Sequence, residues 1–221
     1  MAALDLVVFD LAGTTIRDGG QVPAAFVAAL AERGVGVTSD ALRRVRGATK
    51  RQAIFEMLPE SAGRAAEADA AYRSFQRHLA RAYASGLEVV DGAEATFGRL
   101  RDAGIRFALT TGFDRQTTAL LLDALGWQPP FSDGVVCGDD VARGRPAPYL
   151  IFRAMEAAGA ADVRRVACIG DTALDLEAGW NAGAGWNIGV LSGAHDRARL
   201  EAAPHTHVIG SVADLAGVLG I

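Results

Sequence analysis

Asp10 closes the apolar run 4–9 and is followed by Leu11-Ala12-Gly13-Thr14-Thr15. Thr110 and Thr111 follow a second such run, 106–109, and Asp171 follows a third, 166–169, after Gly170. Asp175 stands four residues beyond Asp171, one helical turn on. Near-continuous apolar runs read as buried parallel strands, and open α/β sheets bind ligands beyond the carboxyl ends of their strands. These groups, distant in sequence, therefore converge on one edge. Clustered carboxylates repel and need a cation to stay ionised together. Mg2+ suits them, because it takes one or two carboxylates, waters and phosphate oxygens. Asp10 is then free to attack phosphorus. Thr110 can donate to a phosphate oxygen, and Arg145, on a loop stiffened by Pro146 and Pro148, can neutralise the developing charge. A single Asp after a strand ordinarily caps a helix or turn; four convergent positions argue for chemistry.

The elements that must position these groups alternate. Strand patterns at 4–9, 106–109, 134–137, 166–169, 185–190 and 207–209 are interspersed with helical patterns at 91–103, 115–124, 148–158 and 174–182. Gly104 and Gly183 are placed as helix stops. The expected fold is α/β, a three-layer Rossmann-like core with a parallel sheet. One stretch breaks the alternation. From about residue 16 to 85 there is only helical periodicity, with one long Ala-rich helix expected at 65–84. We assign 1–15 and 86–221 to the core and 16–85 to an inserted all-helical cap over the carboxyl edge of the sheet. Such a cap should open and close, with hinges near 16–20 and 85–86. Trp180 and Trp186 are expected in the core.

Composition narrows the functional classes. The 221 residues carry a net charge of −4, which offers no general attraction for nucleic acid or acidic membrane surfaces. No apolar run approaches the roughly 20 residues of a membrane span, and residues 1–9 lack a secretory signature. Two cysteines, Cys137 and Cys168, are too few for a disulfide framework or a four-ligand zinc site. A cytoplasmic setting is the default expectation. The four histidines share no metal-ligand spacing.

The set Asp10-Leu-Ala-Gly-Thr-Thr, Thr110-Thr-Gly-Phe, Gly144-Arg-Pro-Ala-Pro and Gly170-Asp-Thr-Ala-Leu-Asp175 resembles the haloacid dehalogenase superfamily over essentially the whole chain. Within it the chain looks most like the phosphonatase-like (phosphonoacetaldehyde hydrolase-like) branch. Three details carry that. Ala12 stands where the phosphatases of the superfamily have an acid that protonates a leaving alkoxide, and alanine donates no proton. Lys50, in Arg46-Gly-Ala-Thr-Lys-Arg, matches a cap lysine that forms a Schiff base with the substrate carbonyl. Arg145 stands where most members have lysine and phosphonatases have arginine. Lysine or arginine at the cap position also serves related phosphatases as a simple substrate clamp.

The resemblance implies Asp10, Lys50, Thr110 and Arg145 as catalytic groups, with substrate contacts from Arg46, Gly47, Thr111 and Gly112. It also implies Mg2+ held among Asp10, Ala12, Asp171 and Asp175. The expected reaction is cleavage of a carbonyl phosphonate through an aspartyl-phosphate on Asp10. The alternative is a phosphate monoester hydrolase of the phosphoglycolate-phosphatase kind. Either way the partner is a small-molecule phosphonate or phosphate ester, not nucleic acid or membrane; a homodimer through the cap is common among such relatives. Three positions depart from the phosphonatase pattern: Arg46 replaces Met, Ala53 replaces His and Phe113 replaces Tyr. Arg46 adds positive charge near Lys50, which suits a substrate with an extra anionic group.

Overall fold

A computed structural model describes residues 4–84, 86–129 and 131–221. Six strands form one parallel sheet: β1 (Leu6–Asp10), β2 (Arg106–Thr110), β3 (Val135–Val136), β4 (Val166–Gly170), β5 (Trp186–Val190) and β6 (His207–Ile209), in the order β3-β2-β1-β4-β5-β6. The sheet grows outward in both directions from β1, so the order reverses between β1 and β4. That reversal opens a crevice at the carboxyl ends of these two strands. Register does the rest: Asp10 lies opposite Thr110, and Phe9 opposite Ile169, which puts Asp171 just past the same edge.

Side chains alternate along each strand. Val7 and Phe9 face one layer, where Phe9, Phe97 and Phe107 pack together and Phe97 stacks on Phe107 at 4.6 Å between centroids. Leu6 and Val8 face the other, with Leu150, Ile151 and Ala154. The chain names these layers as it proceeds. Between β1 and β2 run α1 (Gln21–Ala31), α2 (Ser39–Val45), α3 (Lys50–Met57), α4 (Arg64–Ala84) and α5 (Ala93–Asp102). Then come α6 (Arg115–Leu125), α7 (Tyr149–Ala158), α8 (Ala173–Ala182), α9 (Arg197–Glu201) and α10 (Leu215–Leu219). Helices α5 and α10 cover one face of the sheet, and α7 and α8 the other, giving a Rossmann-like α/β fold.

The ends of the core helices follow from their sequence. Asp114 caps α6 by accepting the N–H of Thr117, and Gly126 ends that helix in the left-handed region. Thr172 and Asp175 form a reciprocal capping box that starts α8 directly after β4. Gly183 ends it, and Gly104 follows α5 at positive φ, as expected.

Helices α1 to α4 gather around their own apolar cluster, with Phe26 against Phe75 at 4.6 Å. Phe113 and Leu121 of the core join that cluster, so the helical block is seated on the core. The chain enters and leaves this block side by side: Ile16 bridges Val89, and the N–H of Arg17 donates to Glu88 O at 2.8 Å. The hinge expected at 85–86 lies partly outside the described residues, at Ser85; Gly86 is described, with φ +146.

Two expectations are corrected. Trp180 is 64 % exposed, because α8 buries Leu176, Gly179 and Ala182 and turns Trp180 outward. The strand expected at 134–137 is reduced to Val135–Val136, since only Leu109 and Thr110 of β2 pair with it. No helix among the described residues is long and apolar enough to cross a membrane.

Candidate active site

The edge formed by β1 and β4 is roofed by the helical block and encloses a cavity of about 50 Å³. Such a space suits a compact ligand, since one water needs roughly 10–15 Å³ by this measure. Asp10, Ala12, Asp171 and Asp175 reach it from the core, and Arg46, Gly47 and Lys50 from the roof. Thr111, Gly112 and Arg145 complete the sequence-derived set on its wall.

Arg145, on the loop before α7, is the hub of the core side. Its Nη1 lies 2.7 Å from Asp10 Oδ1, its Nε 2.8 Å from Asp175 Oδ1, and its Nη2 donates to Thr110 Oγ1 at 2.9 Å. Asp175 thus serves twice, capping α8 and holding Arg145. Thr110 is expected to offer its hydroxyl to substrate. It sits behind Arg145, off the cavity wall, and its hydroxyl donates to the Phe9 carbonyl at 3.3 Å. Here it orients the guanidinium. Thr111 does face the cavity, and its Oγ1 accepts the N–H of Phe113 at 3.1 Å.

Three buried carboxylates around one guanidinium leave an excess of negative charge. Burial, opposed by Arg145 and reinforced by Asp175, pushes Asp10 up to about 6. Burial together with Asp10 and Asp175 pushes Asp171 well above the carboxylate range. Burial works against the charge of Arg145, yet Asp10 and Asp175 overcome it and hold its proton more firmly. A divalent cation among these oxygens fits that donor set, because it would favour the ionised forms of Asp10 and Asp171. Ala12 can add only its main-chain carbonyl.

On the roof, desolvation lowers the pKa of Lys50, opposed by Asp10 and helped by Arg145. Its Nζ lies 4.9 Å from the Phe113 ring centroid and donates to Ala48 O at 3.4 Å. The backbone N–H of Lys50 donates to Gly112 O at 3.1 Å, tying the start of α3 to the loop after β2. Gly112 is a glycine because a Cβ there would stand 2.7 Å from Ala48 O. Gly47, at φ +86, packs so closely on the Thr172 side chain that any Cβ would collide with it. Gly47→Ala should therefore lift the roof from the core and lower kcat/KM on the order of 10²-fold. Steady-state kinetics check this, measured well below the lowered unfolding midpoint that an alanine at this positive φ should also bring.

Other groups stand on or beside the wall. Val22, Phe26 and Val45 line the cavity although their periodicity marks only a buried face. Thr14 donates to Asp171 Oδ1 at 3.3 Å, and the N–H of Ala194 donates to Asp171 Oδ2 at 2.6 Å. Ser192 donates to Gly13 O at 2.8 Å, closing the edge beside β1. Both cysteines are buried, and burial raises Cys137 to about 11 and Cys168 to about 12, so neither is a ready thiolate.

Asp171 supplies a stability prediction. With its folded pKa raised, the native state holds a proton that the unfolded state has lost above about pH 4, so stability falls as pH rises through that window. Asn keeps an oxygen for Ala194 N–H and carries no charge. In chelator at neutral pH, Asp171→Asn should be more stable than the parent by about 0.5–2 kcal/mol, the gain vanishing near pH 4. Denaturant unfolding at both pH values checks it; a less stable variant at neutral pH would count against the charge-excess account.

Residues 4–183 match the family model of haloacid dehalogenase-like hydrolases. The chain belongs to that family, and it is a hydrolase of the haloacid dehalogenase superfamily. Individual proteins are also similar to this chain. A phosphonoacetaldehyde hydrolase of Paraburkholderia xenovorans is 33% identical over 203 residues, 86% of this chain and 76% of that one. Another, from Paraburkholderia phytofirmans, is 31% identical over 255 aligned positions, 99% of this chain and 95% of that one. A phosphonoacetaldehyde hydrolase like protein from Oleispira antarctica shares the fold, with a TM-score of 0.87 at 24% identity, over 99% of this chain and 92% of that one.

Proposed function

We propose that this hydrolase cleaves the carbon–phosphorus bond of a small carbonyl phosphonate, using Lys50 as the imine-forming amine and Asp10 as the phosphoryl acceptor. One observation carries the reading: Lys50 and Asp10 share a small cavity whose wall includes Ala12, where an alkoxide-releasing phosphatase would want an acid. The two relatives named phosphonoacetaldehyde hydrolase support it.

The residues divide the work as follows. Neutral Lys50, favoured by its lowered pKa, attacks the carbonyl carbon; water leaves and a protonated imine forms. A carboxylate oxygen of Asp10 then attacks phosphorus. The C–P bond breaks, its electron pair moves into the carbon framework, and the iminium nitrogen accepts the displaced pair, leaving an enamine. No leaving oxygen appears, so no acid is needed at position 12. Arg145, held by Asp10 and Asp175 and oriented by Thr110, faces the phosphoryl oxygens. Water hydrolyses the aspartyl-phosphate to phosphate, while protonation of the enamine carbon and hydrolysis of the imine return Lys50 and the carbonyl product.

Mg2+ belongs to this proposal, with Asp10, Asp171, Asp175 and the Ala12 carbonyl as its holders. Bound there, it would offset the charge of the carboxylates and of the phosphonyl group. The helical block, residues 16–85, acts as the cap: Arg46, Lys50 and Tyr72 reach core groups across the interface, the last through Asp114.

Phosphate release with magnesium from parallel panels of carbonyl phosphonates and phosphate monoesters tests the reading. Release from a phosphonate is expected. Release from monoesters alone would overturn it and make Lys50 a clamp.

A further inference from the structure

Arg46 is the one cavity arginine that the proposed chemistry does not employ. It ends α2, partly buried, and lines the same cavity as Lys50. Its Nη1 donates to Ala194 O at 3.2 Å, which uses one of the five N–H groups of the guanidinium. Among the described residues no carboxylate pairs with it. The contrast with Arg145 is plain, since two carboxylates embrace that residue. Of the other acids on the wall, Asp171 accepts from Thr14 and from the N–H of Ala194, and Asp18 is turned to the N–H groups of Gly20 and Val22.

A partly desolvated cation without a counter-ion is costly unless a ligand supplies one. The segment that accepts from Arg46 carries a second unpartnered donor, off the cavity wall. His195 follows Ala194, and its Nδ1 accepts the N–H of Ala173 at 3.0 Å, so the ring proton sits on Nε2. That Nε2 is buried without a hydrogen-bond partner.

We infer that the substrate carries a carboxylate on its carbonyl carbon, paired with Arg46 when the carbon is joined to Lys50. This rests on the carbonyl-phosphonate reading and refines it from an aldehyde to a 2-oxo acid, P–CH2–CO–COO−. The P–CH2–C=O unit needed for the electron sink is unchanged. Only the aldehyde hydrogen is replaced, by a group whose charge and planar oxygens match a guanidinium fork. Phosphonoacetaldehyde has nothing to offer Arg46.

Equilibrium binding separates this inference from the cleavage chemistry. The probes are 3-phosphonopropanoate and propylphosphonate, which differ in the carboxylate and cannot form an imine. With magnesium, the protein should bind the carboxylated probe about 10- to 100-fold more tightly. Arg46→Met should collapse that ratio towards one, and Arg46→Lys should keep part of it. A ratio near one in the parent protein, or a ratio unchanged in Arg46→Met, would overturn the inference. If Arg46 only latched cap to core, both probes would weaken together and the ratio would stand.

A release assay is run alongside, with 2-oxo-3-phosphonopropanoate, phosphonoacetaldehyde and 2-phosphoglycolate. Phosphate from the oxo acid in preference to the aldehyde is expected. Preference for the aldehyde would also overturn the inference. Phosphate from 2-phosphoglycolate alone would fail the C–P reading, while the binding ratio still decides whether Arg46 recognises a carboxylate.

Discussion

Replacing Lys50 with alanine should lower phosphate release from a carbonyl phosphonate on the order of 10⁵-fold, comparable to losing the nucleophile of a covalent hydrolase. Without the imine, the electrons of the C–P bond have no acceptor, and tighter substrate binding cannot compensate. A clamp behaves differently: its loss raises KM and leaves much of kcat. Borohydride reduction gives an independent readout, since an imine on Lys50 becomes a stable secondary amine detectable by mass. The adduct should form in the parent protein and be absent from Lys50→Ala. Its pH dependence has a definite sign. The neutral amine attacks, so adduct formation should rise with pH through a midpoint below the roughly 10.4 of free lysine, because burial lowers the Lys50 pKa. A midpoint at the ordinary lysine value would contradict the desolvated site.

Asp10→Asn should abolish phosphate release to a similar degree, on the order of 10⁵-fold, but stop the reaction at a different stage. Asparagine cannot accept the phosphoryl group, whereas Lys50 remains free to form its imine. Asp10 is also the foremost charge holding a proton on Lys50, so its loss should favour the neutral amine further. Borohydride should then trap the imine in Asp10→Asn with no phosphate released. The two variants separate the two bonds: Lys50→Ala loses adduct and phosphate, Asp10→Asn only phosphate. Failure to trap any adduct in Asp10→Asn would mean that the imine depends on the carboxylate, and the division of labour would fall. Arg145 keeps Asp175 as a partner in this variant, so folding should survive the change.

Much of this architecture is local and therefore visible in the chain. Strands buried on both faces are apolar along most of their length, which marked β1, β2 and β4 and left Asp10 conspicuous at the end of β1 and Asp171 just beyond β4. Helix ends are set by residues a few positions apart, so the breaks at Gly104 and Gly183 and the long α4 helix were legible from composition and period. The convergence of Asp10, Asp171 and Asp175 followed from a general property of parallel sheets, without any knowledge of this one.

Tertiary structure alone decided how the converged groups face one another. Arg145 reaches Thr110 across 35 positions of sequence and Arg46 reaches Ala194 across 148. Periodicity records that a face is buried but not what covers it. The faces of α1 and α2 bearing Val22, Phe26 and Val45 join the apolar cluster of the helical block while also walling the cavity. For the same reason Trp180 looked like core: an indole in an apolar helix does not reveal which side of that helix meets the sheet. The sequence determined the elements and the chemical groups at their ends, because these depend on near neighbours. Which hydroxyl backs Arg145, which arginine stays unpaired and how closely the cap approaches at Gly47 and Gly112 depend on contacts between residues far apart in the chain, and only the folded protein sets those.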